Sequence, residues 1–500
     1  MEPIVEVTGG KVRGRRTGAV TAFLGIPYAA PAVGAARFQA PQPAPAWSGV
    51  RDATEFGPTA LQAPYPPPFN RFLPSSVADG PEYLNVNVWT PDPGGAGLPV
   101  MVWIPGGAFV RGANSIPLYD GSAFARDGVV LVGINYRLGI AGFGVLPDAP
   151  ANLGLRDQVL ALQWVQDNVA AFGGDPGNVT IFGESAGGMS VATLLSAPAA
   201  RGLYARAIMQ SGNGIAVADP DDARKVTMAV AAELGVAPTA EALATVDPAT
   251  LLAAQLAVAL AVVTVPDPAR WGASIIRGGL GIMSYFPCID GELVTGVPVE
   301  VVAAGAGATV PLMVGTTEEE YRFFTVPTGV AAAITPEVLP HVLARYGWDL
   351  SLVEVYAANR PGASLGDVVT AMLTDVAFRA PTVGLAEAQQ ATGAPVHVYE
   401  FSWPTPLADL GACHALELPF VFDTLATPEA HQLTGANPPQ ALATEVHNAW
   451  VAFARDGDPG WRRYTPDDRA VMTFDTESGI VLDPRPDELA CWRTSTTLTA

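Results

Sequence analysis

Six stretches of this chain are apolar at consecutive positions rather than alternate ones: "LPVMVWIPGG" (98–107), "GVVLVGINYRLG" (128–139), "NVTIFGESAGG" (178–188), "ARAIMQSGN" (205–213), "VPLMVGTTEEE" (310–320) and "APVHVYEFSW" (394–403). Each is rich in β-branched residues and ends on glycine or a polar turn. Strands that are apolar toward both sides belong to a sheet covered on both faces, so the pattern predicts a central parallel sheet flanked by helices. Between the second and third runs, Leu155, Val159, Leu162, Val165 and Val169 recur at spacings of three and four. That spacing predicts an amphipathic helix. Strand, helix and strand follow at short intervals, which makes 98–213 a compact α/β unit. From 214 to 300 the pattern turns helical and Ala-rich, with breaks expected at Pro220, Pro238, Pro248 and Pro266. This predicts a helical insertion capping the sheet. Within it, "LAVALAVVTV" (256–265) is about half the ~20 residues needed to cross a bilayer and predicts a buried helix. "APYPPPF" (63–69) predicts a stiff surface loop. The chain shows no internal repeat and no Gly/Ser/Pro linker to mark a domain boundary, and its length fits either several domains or one large one.

Composition narrows the function. Hydrophobic residues supply 49% of the chain and charged ones 15%, enough for a large core. The formal net charge of −21 argues against nucleic acid and anionic membranes as partners, since both require a cationic face. Cys288, Cys413 and Cys491 are too scattered for a disulfide framework or a zinc site. The N-terminus shows no apolar run with a small-residue cleavage site. A cytoplasmic protein without metal or cofactor, monomeric or weakly dimeric, is the expectation.

The chemistry starts at Gly183-Glu184-Ser185-Ala186-Gly187. A G-x-S-x-G stretch after a strand and before a helix forces its serine onto a tight, strained turn at the carboxyl end of the sheet. A serine hydroxyl needs a base, and the base an acid to orient it. Of five histidines, His397 falls in a strand and His447 in a helix, while His341 and His431 read as surface positions. His414, in "GACHALELPFVF", follows the last apolar run in a loop, where a base can lean over the strand ends. Glu318, Glu319 and Glu320 follow the fifth run, and one of the three is expected to turn inward. In "WIPGGAF" the chain leaves a strand through Gly106 and Gly107. The N–H groups of Gly107, Ala108 and Ala186 are thereby free to face a negative oxygen.

At these residues the chain resembles the type B carboxylesterases, a family of α/β hydrolases that includes the cholinesterases and the bacterial para-nitrobenzyl esterases. The resemblance runs through "VMVWIPGGAF", "INYRLGIAGF", "GNVTIFGESAGG", "MQSGN", "PCIDGELV", "GTTEEEYRFF", "GACHALELPFVF" and "WVAFARDGDPGW". It implies an α/β-hydrolase fold in which residues 1–500 form one catalytic domain, with a gorge leading to the serine and residues 214–300 over it. By position it implies Ser185 as nucleophile, His414 as base and Glu320 as acid, with Glu319 the alternative. Gly107, Ala108 and Ala186 correspond to the oxyanion hole, Glu184 and Ser211 to residues supporting the histidine, and Phe323 and Phe324 to pocket aromatics. The chain departs from the family in three places. Tyr321 stands where a glycine usually follows the acid, Pro105 replaces a histidine before the glycines, and Tyr83 and Ala60 replace the two ends of a common disulfide.

The expected activity is hydrolysis of uncharged alkyl or aryl carboxylic esters through an acyl-enzyme, rising with pH about an apparent pKa near ~6–7. Carbamates and amides are expected as slower substrates. Two other functions use the same scaffold: an acyltransferase working through the same acyl-enzyme, and a non-catalytic cholinesterase-like binding protein.

Overall fold

The computed structural model describes residues 2–279 and 282–493. An eleven-stranded sheet runs through it, built from β1 (Arg15–Thr17), β2 (Val20–Pro27), β3 (Asn85–Thr90), β4 (Leu98–Ile104), β5 (Val130–Ile134), β6 (Gly174–Glu184), β7 (Arg206–Gln210), β8 (Leu312–Thr317), β9 (Val396–Phe401), β10 (Ala470–Phe474) and β11 (Gly479–Leu482). Their spatial order is β11-β10-β9-β8-β7-β6-β4-β5-β3-β2-β1. The six apolar runs supply β4 to β9, six neighbouring strands that are all parallel. The antiparallel strands lie at the two edges. A separate small sheet joins Ile4–Val7, Gly10–Arg13 and Val50–Asp52.

Register brings the strand ends together. Ile104 pairs with Gly183, Gln210 with Glu184, and Gln210 again with Gly315. The turns after β4, β6, β7 and β8 therefore leave the sheet along one edge, where ligands of open α/β sheets bind.

Helices cover both faces. α1 (Leu153–Asn168) connects β5 to β6 and buries Leu155, Leu162 and Val165, while Val159 is only partly covered. α2 (Ala186–Ser196) connects β6 to β7 and is buried throughout. On the buried side of α1, Asp157 forms a fully buried ion pair with Arg137: Nη2 lies 2.7 Å from Oδ1 and Nε 2.8 Å from Oδ2, and Oδ2 also accepts from the Arg137 N–H at 2.9 Å. Removing one member of such a pair leaves a buried charge uncompensated. Asp157→Ala is accordingly expected to cost about 3–5 kcal/mol, read as a fall in the urea midpoint. An unchanged midpoint would contradict this assignment of the pair.

Residues 214–279 are largely helical, as their pattern predicts; Pro238 and Pro266 lie in breaks between helices as expected, while Pro220 and Pro248 mark breaks by opening the next helix. α3 (Pro220–Leu234) and α4 (Pro248–Thr264) carry Pro220 and Pro248 in their first turns, capped by the Asp219 and Asp247 carboxylates. Proline at that position removes only an N–H that the helix leaves unbonded. "LAVALAVVTV" differs from expectation. α4 buries Leu251, Val258 and Val262, but Leu256, Leu260 and Val263 face outward, with Leu260 67% exposed. A helix on the outside of the fold can bury one face only. Residues 280 and 281 of the insertion, like 1 and 494–500 of the expected domain, lie outside the described residues.

The helical run 365–391 has the length and apolarity to cross a membrane, yet its most apolar 18 residues are 78% buried inside the fold. It includes a π-turn at Asp375–Arg379. The proline-rich loop 63–69 lies at the surface as expected, with no residue fully buried, and its end places the Phe69 ring 5.4 Å from Phe323.

Candidate active site

Ser185 sits between β6 and α2 at φ 55°, ψ −123°, a backbone conformation that costs on the order of 1–3 kcal/mol for a residue other than glycine. The neighbouring glycines make the turn possible. A Cβ at Gly183 would lie 2.6 Å from the Gly187 carbonyl, and one at Gly187 would lie 2.0 Å from the Ile104 oxygen. The Ser185 N–H donates to Gln210 O at 3.0 Å, and its carbonyl accepts from Met189 at 2.8 Å as α2 begins. From 179 to 197 every residue is buried except Ser185. The chain exposes one hydroxyl there.

Gly106 and Gly107 follow β4 and pass over this turn. A Cβ at Gly106 would lie 3.2 Å from Ser185 Cβ and 2.9 Å from Glu184 Oε2. Gly107 and Ala108 both take positive φ, 118° and 56°. Among the described residues, neither N–H donates to a protein acceptor. The Ala186 N–H opens α2, where the first donors of a helix lack intrahelical partners. Pro105 offers no N–H, but its carbonyl accepts from the Tyr136 hydroxyl at 2.7 Å.

The three glutamates after β8 go three ways. Glu318 pairs with Arg485 at 3.2 Å. Glu319 accepts from the Ala412 N–H at 2.9 Å and is 40% exposed. Glu320 is fully buried: Oε1 accepts from the Thr317 N–H at 2.9 Å, and Oε2 lies 2.5 Å from His414 Nδ1. Thus Glu320, not Glu319, meets the imidazole. Tyr321, at φ −76°, occupies ordinary helical backbone and has no need of the family's glycine. Tyr83 and Ala60, at the absent disulfide, are both buried, and the Tyr83 hydroxyl donates to Ala32 O.

His414 is buried in the loop after β9. Its Nε2 lies 3.1 Å from Glu184 Oε1. No hydrogen bond joins its ring to the Ser185 hydroxyl among the described residues. Phe324 and Phe323 lie with ring centroids 5.2 Å and 6.4 Å from the imidazole. Ser211 is fully buried at φ 44°; its N–H donates to Gly315 O, and its hydroxyl has no partner among the described residues. The structure thus gathers Ser185, Glu184, Glu320, His414 and the Gly106–Ala108 turn, and leaves Ser211 without a direct bond to them.

Electrostatics favour a proton on the imidazole. Burial works against His414 imidazolium, but Glu184 and then Glu320 outweigh it and push the group up to about 9. Burial also pushes the Glu184 carboxyl up to about 8, against the pull of His414. A third carboxyl, Glu417, accepts from Gln210 Nε2 at 3.1 Å and is pushed up to about 7 by burial and by Glu320. Sequence reasoning missed Glu417, whose only signal was its place three residues after His414. It also missed Phe378, which the π-turn brings to 5.0 Å from the imidazole.

The sequence model of the Carboxylesterase family matches residues 1–492. The chain is 38% identical over 506 residues to the para-nitrobenzyl esterase of Bacillus subtilis (strain 168), covering 97% of each chain. It is 33% identical over 519 residues to the phenmedipham hydrolase of Pseudarthrobacter oxydans, covering 98% of each. Among solved structures, a carboxylesterase of Geobacillus stearothermophilus superposes with a TM-score of 0.86 at 38% identity, covering 98% of this chain and 100% of that one.

Proposed function

Because this chain belongs to the carboxylesterase family, an α/β-hydrolase family of serine enzymes that hydrolyse carboxylic esters, we propose that its reaction runs through Ser185, His414 and Glu320. His414 takes the proton of the Ser185 hydroxyl as the oxygen attacks the ester carbonyl carbon. The carbonyl oxygen becomes negative against the N–H groups of Gly107, Ala108 and Ala186. Collapse of the intermediate breaks the ester C–O bond, and His414 returns its proton to the departing alcohol. Water then repeats the sequence on the acyl-enzyme and releases the acid. The observation that carries this reading is the 2.5 Å contact of His414 Nδ1 with buried Glu320, beside a serine held on a strained, accessible turn.

Small uncharged alkyl and aryl esters are the proposed substrates, in keeping with the aromatic rings of Phe323, Phe324 and Phe378 around the imidazole. Gln255 of α4 accepts from the Ile140 N–H at 2.8 Å, which supports reading 214–300 as a cap tied to the loop after β5. Three free cysteines support a cytoplasmic enzyme, and the net charge of −21 supports one without nucleic-acid or membrane partners.

The pH profile tests this reading. A general base works in its neutral form, so a raised imidazole pKa moves the rise of kcat/KM to higher pH. With 4-nitrophenyl acetate the midpoint is expected well above the ordinary 6.5, toward about 9, rather than at the 6–7 expected without the flanking carboxylates. Glu184→Gln removes one of those carboxylates and should move the midpoint down by about one pH unit, equivalent to about 1.4 kcal/mol. A wild-type midpoint at or below 6.5, or one that Glu184→Gln leaves in place, would contradict the proposed base.

A further inference from the structure

Arg111 is an anomaly in so acidic a chain. Several half-buried arginines elsewhere in the fold face carboxylates: Arg322 with Asp367, Arg360 with Glu488, and Arg485 with Glu318 and Glu400. Buried Arg37 reaches the carbonyls of Leu243 and Val246 instead, and half-buried Arg206 the Asn178 side-chain oxygen and the Ala454 carbonyl. The Arg111 side chain has neither kind of partner among the described residues, and its buried Nε bonds to nothing. Its guanidinium carbon stands 5.0 Å from the ring centroid of Tyr65. Burial lowers its pKa, and only the nearby Tyr65 phenol opposes the shift. Charged groups this desolvated are ordinarily paired.

Its position is specific. Arg111 closes the turn that carries Gly107 and Ala108: its N–H donates to Gly107 O at 3.0 Å, and its Cγ would lie 2.9 Å from a Cβ at Gly107. Tyr65, beneath the guanidinium, also feels the charge of Glu184. The cation therefore stands beside the turn that carries the Gly107 and Ala108 N–H groups, 5.0 Å from an aromatic centroid. A ring neighbour uses none of the guanidinium N–H donors, which suit a planar, two-oxygen acceptor.

We propose that Arg111 recognises a carboxylate carried by the substrate, so that the enzyme also takes esters bearing a free acid group, such as hemiesters of dicarboxylic acids. This rests on the esterase reading and extends it from neutral esters to anionic ones. Glu184 lies close enough to be felt at Tyr65, but its Oε1 is engaged by His414 Nε2 at 3.1 Å, so it is not the partner that Arg111 lacks.

The test compares monomethyl adipate with methyl hexanoate, and 4-carboxybenzyl acetate with benzyl acetate, on the wild type, Arg111→Lys and Arg111→Gln. In Arg111→Gln the kcat/KM ratio of the acid ester to its neutral partner should fall about 10- to 100-fold in at least one pair, chiefly through KM, as the loss of a charge-assisted hydrogen bond predicts. Arg111→Lys should keep part of the ratio. A ratio within threefold of wild type (about 0.6 kcal/mol) in both pairs overturns the proposal, while failure of the wild type on every neutral ester overturns the esterase reading beneath it. A wild-type measurement covers variants that do not fold. Benzoate should inhibit benzyl acetate hydrolysis competitively and benzamide should not, and equal inhibition by the two overturns the proposal.

Discussion

Ser185→Ala is expected to lower kcat on 4-nitrophenyl esters by roughly 10⁵–10⁶, by analogy with triad knockouts. The substitution deletes one oxygen from the single accessible position in an otherwise buried run. The backbone reasons for the turn lie in Gly183 and Gly187 rather than in the serine hydroxyl, so the folded state should persist. A urea midpoint close to wild type is therefore the accompanying result. Some rate over water would survive, since the amide donors of Gly107, Ala108 and Ala186 remain; comparable sites keep about 10³–10⁴. Retention of more than a few per cent of wild-type activity would defeat the assignment of the nucleophile.

Glu320→Gln is the second large effect, an expected loss of about 10⁴ in kcat, as when the orienting acid of a serine triad becomes an amide. Glu320 is shut off from solvent, with one oxygen on the Thr317 N–H and the other on His414 Nδ1. An amide there cannot balance the imidazolium formed during attack, and its NH₂ favours the wrong tautomer. Glu319 provides the control. It sits one residue away, half in solvent, bonded to the Ala412 N–H and near Arg322, so Glu319→Gln should change kcat by well under 10-fold, the weight of an exposed contact. Equal losses from the two variants would mean that the network, rather than one carboxylate, orients the base.

What could be read in the sequence was what depends on neighbours along the chain. Parallel strands buried on both faces leave unbroken apolar runs, which is why β4 to β9 were legible while the antiparallel edges were not. The strained serine turn announces itself through its flanking glycines, because the close approach that requires them is local. The prolines of 214–300 were legible as breaks at Pro238 and Pro266, but Pro220 and Pro248 interrupt the pattern because helices begin there, a distinction carried by the preceding Asp219 and Asp247. α4 reads as uniformly apolar because sequence alone does not say which face meets the fold.

Contacts between distant segments were the illegible part. Nothing in "EEEY" says which carboxylate turns inward; the choice follows from the path of the His414 loop some ninety residues later. The upward displacement of the imidazole pKa has the same origin. Glu184, Glu320 and Glu417 are ordinary glutamates in three separate stretches, and only the fold crowds them around one ring. Tyr65 and Arg111 likewise meet across a loop that composition marked only as stiff.

The central claim is that one hydroxyl carries the acyl group, and covalent labelling tests it directly. Incubation with diethyl 4-nitrophenyl phosphate should add one diethylphosphoryl group per chain in step with the loss of esterase activity, and peptide mapping by mass spectrometry should find it on Ser185. A label on any other residue, or full activity in fully labelled protein, would contradict the account.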